Sequence, residues 1–122
     1  VYRLQTGKVL SAPEIGTAAM AGDGPAREAA TTMLGLLGTV IADAVLTMGC
    51  WRGVVIAGGI VAQLQPLLAD SPFAERFRHG GTMGRLLADV PVWLSVDPHA
   101  GLRGAAAAIA TPSLQARVIT AG

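Results

Sequence analysis

The sequence predicts an α/β fold with few parallel strands and long helices. Three observations carry that expectation. Val54, Val55 and Ile56 form a β-branched run with no polar break, which suits a strand buried on both faces of a parallel sheet. Gly58 and Gly59 end the run, and Ile60, Val61, Leu64, Leu67 and Leu68 then recur at helical spacing. A second apolar run, Val92-Trp93-Leu94-Ser95-Val96, arrives only after further helical stretches. Two strands separated by helices imply a parallel pair joined by a right-handed crossover. Two strands do not make a stable open sheet alone, so the sheet is expected to be completed by another chain or by a part outside this one.

Taken in order, Val1 to Ala12 reads as the end of a helix or a loop. Ala12-Pro13-Glu14-Ile15 and Met20-Ala21-Gly22-Asp23-Gly24-Pro25 read as helix boundaries. Asp23 has the chemistry of an N-cap, with Pro25 near the first helical position. A long helix is expected over Ala26–Met48, and its only charge after Glu28 is Asp43. A helix apolar nearly all round must be buried on most sides. The stretch from Ala29 to Cys50 is long enough to span a bilayer. Against that, four threonines interrupt it, no basic cluster flanks it, and Asp43 would cost on the order of 3 kcal/mol at the bilayer centre. The expectation is a central helix in a body larger than this chain.

Strand Gly53–Ala57 and helix Ile60–Ala69 come next. Asp70-Ser71-Pro72 breaks the chain and starts a short helix through Phe73 and Phe77. His79-Gly80-Gly81 turns it again, and Met83, Leu86 and Leu87 mark another short helix. The second strand opens after Asp89 to Pro91. Asp97-Pro98-His99-Ala100-Gly101 is a loop, and the Ala-rich stretch Leu102–Ala110 is a helix. Thr111-Pro112 starts a polar tail to Gly122.

Composition narrows the function. The formal charge is +1 and charged residues are 14% of the chain, which gives no electrostatic footprint for nucleic acid. Hydrophobic residues are 52% and mean hydropathy is +0.52, too apolar for a disordered tail and high for a small domain that must show much of itself to water. Cys50 is the single cysteine, which excludes an internal disulfide; it reads as a buried thiol. No signal peptide precedes the first element, and the chain begins at Val1, which suggests a piece of something longer.

Several chemistries find no motif. There is no phosphate loop with a Gly-Lys-Ser/Thr ending and no Gly-x-Gly-x-x-Gly after a strand. His79 and His99 lack metal-ligand spacing and read as loop residues. Gly101-Leu102-Arg103-Gly104 formally matches an RNA-clamping Gly-x-x-Gly, but helix packing suits this charge better. Asp70, Asp89 and Asp97 sit at element ends, where capping is the default role. Asp43, inside an apolar helix, must be paired, hydrogen-bonded or at a water-filled site. Trp51 and Trp93 read as core or rim packing. The double glycine is the best candidate for ligand contact, because bare backbone lets a flat group approach; a tight strand–helix turn without ligand would have the same sequence.

Four collinear segments then become specific. Leu46-Thr47-Met48-Gly49 with Gly53 to Val61 resembles the C-terminal part of bacterial ATP-dependent glucokinases. So do Ser71-Pro72-Phe73-Ala74-Glu75-Arg76-Phe77, Leu87-Ala88-Asp89-Val90-Pro91-Val92, and Asp97 through Ala106. The resemblance implies a partial actin-like (ribonuclease H-like) sugar-kinase domain, in which two α/β domains enclose a cleft. It implies that residues 1–110 are the C-terminal portion of the large domain with a returning helix, and that residues 111–122 are a tail. It further implies ATP and Mg as cofactors, the metal being held by parts outside this chain. Gly58 and Gly59 would lie against the adenosine, with Ile60 and Gln63 as weaker candidates for lining that site. The family's catalytic aspartate and sugar-binding residues have no counterpart in these residues. Glucose would be met through the upstream part, in a cytoplasmic enzyme at the entry to glycolysis, with no nucleic-acid or membrane partner. Trp51-Arg52 and Arg103 depart from the family pattern. The alternatives are a non-catalytic interaction or regulatory module on a kinase-like fold, or a membrane segment around Ala29–Cys50. Whether two copies form a homodimer to hide the exposed core is left open by the sequence.

Overall fold

The computed structural model describes residues 1–79 and 81–111. The axle of the fold is a 25-residue helix, α3 (Gly24–Met48). Its start is set locally: the Asp23 carboxylate accepts a hydrogen bond from the Ala26 N–H at 3.3 Å, and Pro25 occupies the first turn. Its end is set by Gly49, whose left-handed conformation lets its N–H reach the Val45 carbonyl at 2.8 Å. Before it come α1 (Tyr2–Thr6) and α2 (Ala12–Met20). After it come β1 (Val54–Ile56), α4 (Gly59–Gln63), α5 (Gln65–Leu68) and α6 (Phe73–Arg78). A 3₁₀ turn (Gly81–Met83), α7 (Gly84–Ala88), β2 (Val92–Leu94) and α8 (Ala100–Ala110) complete the described chain.

The first half of α3 packs Ala26, Ala30 and Leu34 against Ala19 of α2, Leu64, and Leu67 of α5. Its second half packs Ala42 and Val45 against Phe77, Leu87 and Val90. Between these cores, Gly35 and Gly38 bring α3 against the start of α6. A Cβ on Gly38 would lie 2.5 Å from the Phe73 carbonyl oxygen, and one on Gly35 would lie 2.7 Å from the Pro72 ring. Phe73 and Phe77 are both buried, with ring planes 3° apart and centroids 6.4 Å apart.

β1 and β2 are parallel, with Val54, Val55 and Ile56 opposite Val92, Trp93 and Leu94. Period-two alternation turns Val54, Ile56 and Val92 toward the helices and Val55 and Trp93 away from them. The first strand was expected to be covered on both faces. Among the described residues only one face is covered: Val55 is 64% exposed and Trp93 52%.

The long helix differs from expectation in the same way. It is the one helix among the described residues long and apolar enough to cross a membrane by length and composition. One stripe of it is packed as a core helix is, while Leu36 and Val40 on the opposite stripe are exposed. Asp43 lies on that outward stripe and is itself exposed, so the burial penalty expected for its carboxylate does not arise.

Other departures are local. Ile60–Ala69 is two short helices, because Pro66 has no N–H for the Ala62 carbonyl and the chain breaks at Leu64. Gly101 to Gly104 lies inside α8, so the formal RNA-clamp match is helix. Asp70 forms an ion pair with Arg27 at 2.5 Å across two exposed side chains, a contact worth at most about 1 kcal/mol. Cys50 is half-buried beside the second core. Trp51 and Arg52, which depart from the family pattern, lie exposed in the turn before β1. The tail expected beyond Thr111 lies outside the described residues.

Two outcomes follow from this packing. Gly38→Ala gains about 1 kcal/mol of helix propensity but drives a methyl into the Phe73 carbonyl, so it should lower stability by a net ~1–3 kcal/mol in urea unfolding. Gly104→Ala, which meets no atom within 4 Å, should instead stabilise by about 0.5–1 kcal/mol.

At the start of α2, Glu14 Oε2 accepts from both the hydroxyl (2.6 Å) and the N–H (2.7 Å) of Ser11. The side-chain bond foremost, then the backbone bond, holds the Glu14 carboxyl below its ordinary value of 4.5. A lowered folded value means that its stabilisation is present above the ordinary carboxylate range and is lost as pH falls through the folded value. A carboxyl NMR titration should place Glu14 below 4.5 and return it toward 4.5 in Ser11→Ala.

Candidate nucleoside-binding depression

Both strands run the same way and in register, so the loops that follow them leave from one end of the sheet. The Ser95 N–H donates to the Ile56 carbonyl at 2.8 Å and holds the two strand ends together just where the loops begin. This is the end of a parallel sheet at which α/β proteins place ligands.

On the first loop, Gly58 has φ 133° and ψ 153°, a region reserved for glycine. Gly59 opens α4 in an ordinary conformation, and no atom lies within 4 Å of where its Cβ would stand. On the second loop, the Asp97 carboxylate organises the entry to α8. Its Oδ1 accepts from the His99 N–H at 2.9 Å, and its Oδ2 pairs with Arg103 Nε at 3.2 Å. Arg103, another departure from the family pattern, is therefore an exposed partner of Asp97 and disturbs no core.

The two loops face one shallow depression of about 270 Å³. Ala57, Gly58 and Gly59 form one wall, and Asp97, Pro98 and Gly101 form the other. The surface is mostly bare main chain and small side chains, with one carboxylate. Such a surface accepts a flat group carrying hydrogen-bond donors. It offers no nucleophile, and the carboxylate is already engaged by two donors.

Gly58 and Gly59 are thus brought together with a loop whose role was not read from the sequence. Ile60 and Gln63 are not. They line a separate apolar depression of about 300 Å³ among α1, α2 and α3, beside Tyr2, Ile15, Met33 and Leu36. The Gln63 side chain lies against Gly16, within 3.3 Å of a Cβ built there. His79 ends α6 and His99 precedes α8, both exposed. Among the described residues, no three of His, Cys, Asp and Glu gather as metal ligands would. The signal that could have found Asp97 to Gly101 was topological: a loop after the second of two parallel strands must end beside the loop after the first.

Comparison with known proteins adds an independent finding. A family model described as Glucokinase matches residues 3–112. The glucokinase of Pseudomonas aeruginosa (strain UCBPP-PA14) is 45% identical over 100 residues, 81% of this chain and 30% of its own length. The glucokinase of Cupriavidus metallidurans is 44% identical over 90 residues, 74% of this chain and 27% of its own. The crystal structure of a glucokinase from an Antarctic psychrotroph superposes with a TM-score of 0.75 at 32% identity, over 87% of this chain and 34% of that one. The chain therefore spans about a third of the length of the relatives it matches.

Proposed function

Because the chain belongs to the glucokinase family, we propose that residues 1–110 are the C-terminal portion of the large domain of an ATP-dependent glucokinase, with α8 returning across it. In this reading Gly58 and Gly59 are the shelf on which the adenosine of ATP rests. The observation that carries it is the junction of two strand-end loops into one bare-backbone depression. The missing Cβ atoms let a purine or ribose reach main-chain N–H and C=O groups. Ile60 and Gln63 stay outside the proposal, because their depression lies elsewhere.

The complete enzyme would move the γ-phosphoryl group of ATP to the 6-hydroxyl of glucose, with Mg neutralising the phosphate charge. The described residues do not fit a resident Mg, since no cluster of ligand side chains forms among them. Nor do they supply a free base beside the glycines. This part therefore binds and orients the nucleoside, and the base, metal and sugar contacts belong to the upstream two-thirds. The same reading puts the enzyme in the cytoplasm, where ATP is, and makes α3 a core helix. The exposed Leu36, Val40, Val55 and Trp93 then face the rest of the catalytic body or a second copy.

Gly59→Val is the clean test, since a Cβ at Gly59 meets no atom within 4 Å and the backbone there is not left-handed. In the complete kinase it should raise KM for ATP by about tenfold or more, roughly 1.4 kcal/mol, and leave KM for glucose within about twofold. Equal changes in both constants would count against a nucleoside contact. The 122-residue chain alone should make no glucose 6-phosphate above blank in a coupled assay.

A further inference from the structure

We propose that Asp97 selects the ribose of the nucleotide, its carboxylate accepting a hydrogen bond from the vicinal ribose hydroxyls opposite the Gly58-Gly59 turn. The inference rests on the reading of this depression as the nucleoside site. Its walls hold one side chain with hydrogen-bonding capacity, and that side chain is Asp97. Ionised, a carboxylate only accepts, through about four lone-pair sites. Two of these are taken, by the His99 N–H and by Arg103 Nε. The side chain remains 34% exposed, so the other two are open to a ligand.

A nucleoside triphosphate carries donors in two places, the ribose hydroxyls and an exocyclic amino group on the base. Its phosphates are anionic acceptors, which a carboxylate repels. Asp97 therefore orients the nucleotide as well as holding it: the ribose turns toward the carboxylate and the triphosphate turns away. A carboxylate with two free lone pairs matches a diol, which offers two adjacent donors. Arg103 and the His99 N–H fix the plane of the carboxylate beforehand, so that less freedom is lost on binding.

The test compares ATP with 2′-deoxy-ATP and 3′-deoxy-ATP in the complete kinase. The unaltered enzyme should prefer ATP to at least one deoxy analogue by about tenfold in kcat/KM, the size expected for one charge-assisted hydrogen bond. In Asp97→Ala that preference should fall to about twofold or less. Asp97→Asn keeps an oxygen for the His99 N–H and should fall between the two. Arg103→Ala loosens the carboxylate without removing it, so it should lower the ratio, but by less than Asp97→Ala does. A ratio in Asp97→Ala equal to that of the unaltered enzyme overturns the inference, as does an unaltered enzyme that uses ATP and both analogues equally well. If Gly59→Val shifts KM for ATP while Asp97→Ala leaves the ratio intact, the nucleoside site stands and only the ribose contact falls. If Gly59→Val has no effect on KM for ATP, the site reading itself falls.

Discussion

Gly38 leaves room for the carbonyl of Phe73 where any other residue would place a methyl, and Gly35 does the same for the ring of Pro72. Through these two gaps α6 is held directly against the backbone of α3. Dispersion contacts fall off steeply with distance, so an approach this close is what lets one helix serve two cores. On one side of the crossing the helix gathers α2 and α5 around Leu34. On the other it gathers Phe77, Leu87 and Val90, and with them Val54 and Val92 on the sheet. Without that crossing the parallel strands would have nothing to lie on, since two short strands have too little area to be stable unaided.

The position of the depression follows from the same packing. The helices fix the covered face of the sheet, and the parallel register fixes where each loop departs. The Ser95–Ile56 hydrogen bond carries the alignment one step past the strands. Gly58 then turns the first loop through a conformation closed to other residues, and Asp97 ties the second loop to the first turn of α8. Each wall is set by its own local device, so the opening between them does not depend on a ligand to form it.

Much of this was legible in the residues because the signals are local. Asp23, Pro25 and Gly49 bracket α3 through capping chemistry that acts within one turn, and the β-branched runs mark both strands. Pro66 was an equally local signal, and it ends α4 where an unbroken helix was expected. What could not be read was which side of an element would be covered. Asp43 looked buried because its sequence neighbours are apolar, yet the covered stripe of α3 runs through Leu34, Ala42 and Val45. For the same reason Ile60 and Gln63, which follow the glycines in sequence, line a different depression beside α2 and α3. Asp97 lay too far along the chain for spacing alone to join it to Gly58; only the parallel pairing does so.

The indole of Trp93 lies over Gly53 on the uncovered face of the sheet, close enough that a side chain at Gly53 would collide with it. The chain has two tryptophans, and the other, Trp51, sits in the turn that leads into β1, two residues before Gly53. Trp93 therefore reports on that face, and Trp51, whose indole lies toward Gly49, on the turn beside it. Wet, they emit toward the red; covered by protein, they shift toward the blue. The chain carries its own optical gauge of whether that face has been capped, readable without a label.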